Sequence, residues 1–146
     1  MFMWFFLALA ASVLWGLVYA LHEQVYKHIS VLSSIVIDGF VIFVLVGILA
    51  WKGGFLERDL AIVLSSEKVA WLLGAQILAA LAATVLVAFS INYKNATVAG
   101  LVEMTYPLFI VLFTYLLFRE SHLNMGTVIG GVLIFTGVVC VYFFNR

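Results

Sequence analysis

Hydrophobic positions form five long runs along the chain, separated by shorter polar segments. The runs cover residues 3–21, 31–51, 69–91, 96–118 and 123–144. Each run has about the 20 residues that a helix needs to cross the hydrocarbon core of a bilayer. Most connections between the runs are short, so consecutive helices should be antiparallel neighbours. The pattern predicts an all-α integral membrane protein with five transmembrane helices that form a single domain in the lipid bilayer.

The composition of the chain agrees with this prediction and argues against other classes of protein. Hydrophobic residues make up 66% of the 146 positions and charged residues 10%, whereas soluble domains carry about 25% charged residues. The formal net charge is zero, so no basic surface for a nucleic acid is indicated. The single cysteine, Cys140, excludes an internal disulfide and a cysteine-rich metal site. Because no phosphate-binding loop or nucleophile motif occurs either, we expect a protein that is not an enzyme and binds no metal or cofactor.

Two segments outside the apolar centres of the runs have patterns of their own. The longest connection, residues 52–68, holds a glycine pair and mixed charges around an apolar patch, which predicts a short helix at the membrane interface. The first run has no basic residue before Lys27, where a secretory signal would carry its positive segment. We therefore expect the first run to be a retained membrane span.

Basic residues are almost equally divided between the two membrane faces. Five crossings place four of them on one face, Lys52, Arg58, Lys68 and Arg119, and three on the other, Lys27, Lys94 and Arg146. Orientation in the membrane follows the difference between such counts. A small excess places the N-terminus in the cytoplasm, but the near balance also allows the chain to insert in both orientations.

Two acidic residues lie inside the apolar runs. Asp38 is about seven residues into the second run and Glu103 about seven into the fourth, and both runs begin at the same face, so each acid should lie roughly 10 Å below it. Glu23, at the end of the first run, approaches the same face. Because an ionisable group in a membrane is costly, it is a candidate functional site. We predict that these acids bind substrate or protons; the alternative is a protonated carboxyl that only bonds a neighbouring helix.

An aromatic and polar stripe follows the first run at intervals of three and four residues. Its members are Ser12, Trp15, Tyr19, Glu23 and Tyr26. This spacing places them on one face of a helix. The stripe suits the wall of a cavity, and it also suits an interfacial belt of aromatic residues. We interpret Trp15 and Tyr19 as candidates for the cavity wall and Tyr26 as a member of the belt.

Pro107 follows Glu103 by four residues in the fourth run. Proline has no backbone N–H and crowds the carbonyl of the residue four positions earlier, so the helix should kink beside the glutamate. The freed carbonyl would then be open to a ligand or a water molecule. A kink that only shapes helix packing is the alternative.

Glycines recur along the last run, at Gly126, Gly130, Gly131 and Gly137. Small residues spaced by four positions let two helices approach closely. We predict a helix–helix contact here, either within one subunit or between the subunits of a dimer.

Three motifs together resemble a known family. The early WG of ASVLWGLVYA, the segment YPLFIVLFTYLLFRE and the following GTVIGGVLIFTGVVCV resemble one EamA-type repeat of the drug/metabolite transporter superfamily. The resemblance covers nearly the whole sequence and is strongest over residues 96–141. It implies a transporter of small metabolites or drugs, usually built from two five-helix repeats of inverted topology. The sequence holds one such repeat, which is half of that fold and would be completed by an inverted copy.

These observations lead us to expect a secondary, proton-coupled exporter of a small metabolite, amine or drug in a cell membrane such as the bacterial inner membrane. It would act by alternating access as a homodimer, for which an antiparallel arrangement is open. One alternative is a flippase for a lipid-linked sugar or similar amphiphile, whose phosphate Lys27 or Lys94 would meet. Another is a partner subunit that transports nothing by itself.

Overall fold

Seven helices account for the secondary structure of the described residues. The computed structural model describes residues 3–121 and 123–145, and that part of the chain contains no strand. The helices are α1 (Met3–Val25), α2 (Val31–Lys52), α3 (Phe55–Ser65), α4 (Glu67–Tyr93), α5 (Ala96–Glu103), α6 (Tyr106–Phe118) and α7 (Met125–Phe144). Five segments are long and apolar enough to cross a membrane, namely α1, α2, α4, the combined α5 and α6, and α7. The predicted all-α fold with five spans is confirmed.

Capping side chains set the beginnings of most of these helices. Ser30, Ser66, Asn95 and Asn124 each accept a hydrogen bond from the backbone N–H three residues later, which satisfies a donor that the first turn leaves unpaired. Hydrophobicity alone does not predict where the helices begin and end. The first helix, for instance, continues to Val25 rather than residue 21, because polar residues extend it beyond the bilayer-length apolar run.

The connection between the second and third spans contains the short helix α3. Gly54 precedes it in the left-handed conformation, with φ of 67°, which glycine adopts without the steric cost of a Cβ atom. Helix α3 packs against α2 and α4. It therefore closes the turn between these two spans.

The fourth span is interrupted directly after Glu103. Helix α5 ends there and α6 begins at Tyr106, while Pro107 lies in the first turn of α6. Two backbone bonds across the break link residues three apart, from Thr105 N to Val102 O at 3.2 Å and from Leu108 N to Thr105 O at 2.9 Å. Because Pro107 has no N–H to donate to the Glu103 carbonyl, the chain tightens locally into a 3₁₀-like turn.

The best-packed region lies where α1, α4 and α5 meet. Ile91, Ala96 and Ala99 are buried there, and Tyr19 and Tyr26 of α1 pack against them. The two alanines let the helices approach closely. Most large apolar side chains elsewhere are exposed, as expected of surfaces that face lipid. The packed region holds α1 and α5 in register, and both helices carry candidate site residues.

Candidate functional site

A cavity of about 520 Å³ lies between α1, α5 and the beginning of α6. Its lining residues are Ser12, Trp15, Gly16, Tyr19, Ala20, Ala96, Thr97, Gly100, Leu101, Glu103, Met104 and Tyr106. Pockets for small molecules commonly measure about 300–1,000 Å³ and combine an apolar wall with a few polar groups. Both the size and the lining of this cavity suit a small organic molecule.

Glu103 supplies the carboxylate of this cavity. The Tyr19 hydroxyl donates a hydrogen bond to Glu103 Oε2, which links α1 to the last residue of α5. The Tyr19 ring also makes an edge-to-face contact with Trp15, with ring centroids 6.1 Å apart. The predicted wall residues Trp15 and Tyr19 thus lie beside Glu103, and the backbone break follows immediately.

Asp38 lies outside the cavity lining and pairs with another group. His22 Nε2 is 3.2 Å from Asp38 Oδ2, and the Asp38 side chain is 51% exposed. The Ser34 hydroxyl donates to the same oxygen at 3.4 Å. Since His22 follows Tyr19 by three residues on α1, the His22–Asp38 and Tyr19–Glu103 pairs are about one helical turn apart. The two intramembrane acids therefore occupy neighbouring but separate positions.

Tyr26 completes the polar cluster at the end of α1. Its ring stacks on His22 with a centroid separation of 5.2 Å. Burial raises the pKa of the Tyr26 phenol above its usual value, and the charge of Asp38 adds to this effect, because both disfavour the phenolate. The Tyr26 hydroxyl is buried and has no hydrogen-bond partner among the described residues. Tyr26 thus remains a neutral phenol that packs between helices.

Glu23 holds the beginning of α5 in place. Its Oε2 accepts a hydrogen bond from the Ala96 backbone N–H at 2.7 Å, while Asn95 Oδ1 accepts from Val98 N–H at 2.8 Å. A carboxylate at a helix N-terminus satisfies a free donor and complements the helix dipole. Glu23 therefore connects α1 to α5 and lies outside the cavity lining.

The comparison with known protein families agrees with this geometry. The model of the EamA-like transporter family matches residues 2–143. The chain belongs to this family. No match was found among curated proteins or solved structures. Family membership confirms the resemblance seen in the sequence and assigns the chain to multi-pass membrane transporters of small molecules.

The glycines of this EamA-like protein divide into two groups on α7. At 3.6 residues per turn, Gly126, Gly130 and Gly137 lie within about 40° of one another, and Gly131 lies roughly 100° or more away. A Cβ atom on Gly131 would lie 2.9 Å from Leu108 Cδ2 of α6, whereas one on Gly130 or Gly137 would meet nothing within 4 Å. Gly131 therefore serves packing within the chain. A Cβ atom on Gly126 would lie 3.2 Å from Oδ1 of the capping residue Asn124, so Gly126, Gly130 and Gly137 form a glycine face that no other described helix covers.

The two lysines considered for a lipid phosphate are engaged within the EamA-like chain. Lys27 Nζ donates to Gln24 Oε1 at 2.9 Å, and Lys94 Nζ donates to the Asn145 carbonyl at 3.0 Å. Neither lysine lines the cavity. Arg146, the third basic residue expected on this face, lies outside the described residues.

No metal centre is found in residues 3–121 and 123–145, where no three His, Cys, Asp or Glu side chains come close enough to hold an ion.

The sequence pattern did not indicate three of the residues that line the cavity, Gly100, Thr97 and Tyr106. Gly100 and Tyr106 lie three positions on either side of Glu103, so helical spacing around the acid is the signal that points to them.

Proposed function

We propose that this EamA-like protein is a proton-coupled secondary exporter of a small organic amine or cation, with Glu103 as the coupling acid. The observation that supports this is the position of Glu103 in the cavity wall, bonded to a neutral phenol. Among the described residues no lysine or arginine pairs with its carboxyl group. Such a carboxyl is free to exchange a resident proton for a cationic cargo.

Coupling follows from the competition between proton and cargo for one carboxylate. Ionised Glu103 attracts an ammonium group, and this attraction is stronger in a poorly hydrated cavity than in water. The aromatic rings of Trp15 and Tyr106, which line the cavity, would add cation–π stabilisation. Protonation of Glu103 removes the charge and releases the cargo, so one proton and one cation exchange across the membrane. The break after Glu103 gives the α5–α6 segment a point at which to bend between inward-open and outward-open states.

The other acids have supporting parts in this proposal. Asp38, paired with His22 near the same membrane face, is a second proton-binding acid outside the cavity. Glu23 positions α5, and with it Glu103, through the bond to Ala96. Trp15 and Tyr19 form the cavity wall, and Pro107 maintains the flexible point.

We further propose that two copies assemble as an antiparallel homodimer in a bacterial inner membrane. The uncovered glycine face of α7 offers a surface for close helix contact, and the near-equal charge counts permit both orientations. Two reporters fused separately to the C-terminus, one active only in the cytoplasm and one only outside, test this. Comparable signals from both are expected. A signal from a single orientation would exclude the antiparallel pair of identical chains.

Transport in proteoliposomes tests the role of Glu103. A panel of primary amines, guanidinium compounds and quaternary ammonium ions is offered in radiolabelled form while a pH gradient is imposed, and the uptake of each compound into the vesicles is measured. Glu103→Gln should lose at least about 90% of proton-driven transport, since the amide can neither ionise nor exchange a proton. Glu103→Asp should retain part of it.

The matched control is Glu57→Gln, which makes the same chemical change on exposed helix α3 and should leave the uptake unchanged. Full, normally pH-dependent transport by Glu103→Gln would show that the coupling acid is elsewhere.

A further inference from the structure

Gly100 provides the space in which the Tyr19 ring lies. It is on α5, three residues before Glu103. A methyl group at this position would lie 3.3 Å from Tyr19 Cδ2 and 3.6 Å from Cε2. The shorter distance is below the roughly 3.5–4.0 Å at which two carbon atoms attract best. The ring therefore lies directly against the α5 backbone, and its hydroxyl reaches Glu103 on the next turn.

We infer that Gly100 is a positioning residue for the coupling acid: its lack of a side chain lets Tyr19 approach α5 closely enough to bond Glu103. The inference rests on the proposed role of Glu103. It concerns this one glycine, because Gly100 is the glycine whose added Cβ atom would meet Tyr19.

The surroundings of Tyr19 limit how the ring can respond to a methyl group. Tyr19 packs against the buried cluster of Ile91, Ala96 and Ala99. Trp15 contacts the Tyr19 ring edge to face. The ring must therefore move away from α5 by a few tenths of an ångström. The phenol is rigid, so its hydroxyl moves too, and hydrogen bonds weaken as they lengthen or bend. Gly100→Ala should thus act on Glu103 as a milder form of Tyr19→Phe does.

Infrared difference spectroscopy tests this without any substrate. The reconstituted protein is titrated with acid, and the C=O band that disappears in Glu103→Gln is followed as a measure of Glu103 protonation. Tyr106 and Tyr26 are the other titratable groups that act on Tyr19, and their bands are distinct from a carboxyl C=O band. We expect the midpoint in Gly100→Ala to move in the same direction as in Tyr19→Phe, by at least half as much.

A double variant and a matched glycine control make the inference specific. In a Tyr19→Phe background, Gly100→Ala should produce no further shift, because the bond through which it acts is already absent. Gly74→Ala, the same change on α4 where the added methyl group has open space, should leave the midpoint at the wild-type value. A midpoint for Gly100→Ala equal to that of Gly74→Ala, or a full additional shift in the double variant, would overturn the inference.

Transport measurements distinguish its failure from failure of the proposed function. Gly100 also lines the cavity, so a methyl group there could change cargo binding directly. The infrared titration is carried out without cargo and is therefore insensitive to that effect. If the midpoint shifts in Gly100→Ala as it does in Tyr19→Phe, while Glu103→Gln still transports with normal pH dependence, the proposed function fails and the positioning role of Gly100 stands. If Glu103→Gln abolishes coupling but Gly100→Ala leaves the titration unchanged, the positioning role fails alone.

A second variant covers the case in which Gly100→Ala does not fold. Gly100→Ala combined with Tyr19→Ala removes the ring that the new methyl group would meet. Recovery of folded protein in this combination supports the contact between the two positions. Failure to recover it, when Tyr19→Ala alone folds, would overturn the inference, because the methyl group would then be clashing with something other than Tyr19.

Discussion

Glu23 illustrates how a single carboxylate can stabilise a membrane protein without lying in its site. Its bond to the Ala96 N–H is made at a buried position, since Ala96 is 8% exposed. Glu23→Ala should therefore lower the free energy of unfolding by about 1–3 kcal/mol, the usual cost of leaving a buried donor unpaired. Glu23→Gln should lose less stability, because its amide oxygen can still accept the hydrogen bond from the Ala96 N–H. Unfolding by SDS from mild detergent micelles measures both, and equal stability of wild type and Glu23→Ala would contradict the assignment.

Asp38 and Glu103 should be separable by mutation, because their partners on α1, His22 and Tyr19, are three residues apart. Asp38 belongs to a half-exposed pair with His22, and exposed pairs contribute at most about 1 kcal/mol. Asp38→Asn should therefore cost less than about 1 kcal/mol of stability and lower proton-driven transport much less than Glu103→Gln does. His22→Gln, which removes the other member of the pair, should match it. If Asp38→Asn lost as much proton-driven transport as Glu103→Gln, both acids would belong to one coupled site.

At the scale of secondary-structure elements, the break between α5 and α6 depends on the single proline of the chain. Pro107→Ala restores an N–H that can bond the Glu103 carbonyl, so the two helices should merge into one. A proline inside a soluble helix costs about 3 kcal/mol, and the smaller cost in membranes should still appear as a rise in unfolding free energy. Turnover should fall at the same time. Unchanged turnover in a more stable variant would show that the break only shapes packing.

The elements were more predictable than their contacts. Apolar runs locate the five spans because bilayer thickness dictates their length, and Pro107 marks the place where the fourth is interrupted. Helical spacing also gathers Trp15 and Tyr19 on one face of α1. It does not determine how each helix is rotated against its neighbours. The sequence therefore placed Asp38 and Glu103 at equal depth, but could not show that His22 meets the first and Tyr19 the second. The space provided by Gly100 likewise depends on which helix faces it.

At the scale of the whole molecule, one side of α7 is left uncovered by the other described helices. Helix α7 packs on α5, and Gly131 meets Leu108. Its opposite side carries Gly126, Gly130 and Gly137 together with Leu133, which is 67% exposed, and the exposed Cys140. Lipid tails are as apolar as the side chains of another helix, so burial of apolar surface does not drive helices together in a bilayer. Close backbone packing drives their association instead. A glycine face without a partner helix in the described part of the chain therefore favours a second copy there.

Cysteine cross-linking distinguishes the two possible arrangements of such a dimer. If two α7 helices cross at the middle of the glycine face, an antiparallel pair holds the two Cys140 residues about 25 Å apart along the axis, and two cysteines at position 133 about 5 Å apart. A disulfide needs Cα atoms within about 7 Å. Under oxidation, we therefore expect Leu133→Cys in a Cys140→Ala background to cross-link and the wild-type protein, with Cys140 alone, to remain monomeric on a denaturing gel. Efficient cross-linking through Cys140 would instead indicate parallel helices, and the absence of both products would show that the glycine face does not join two copies.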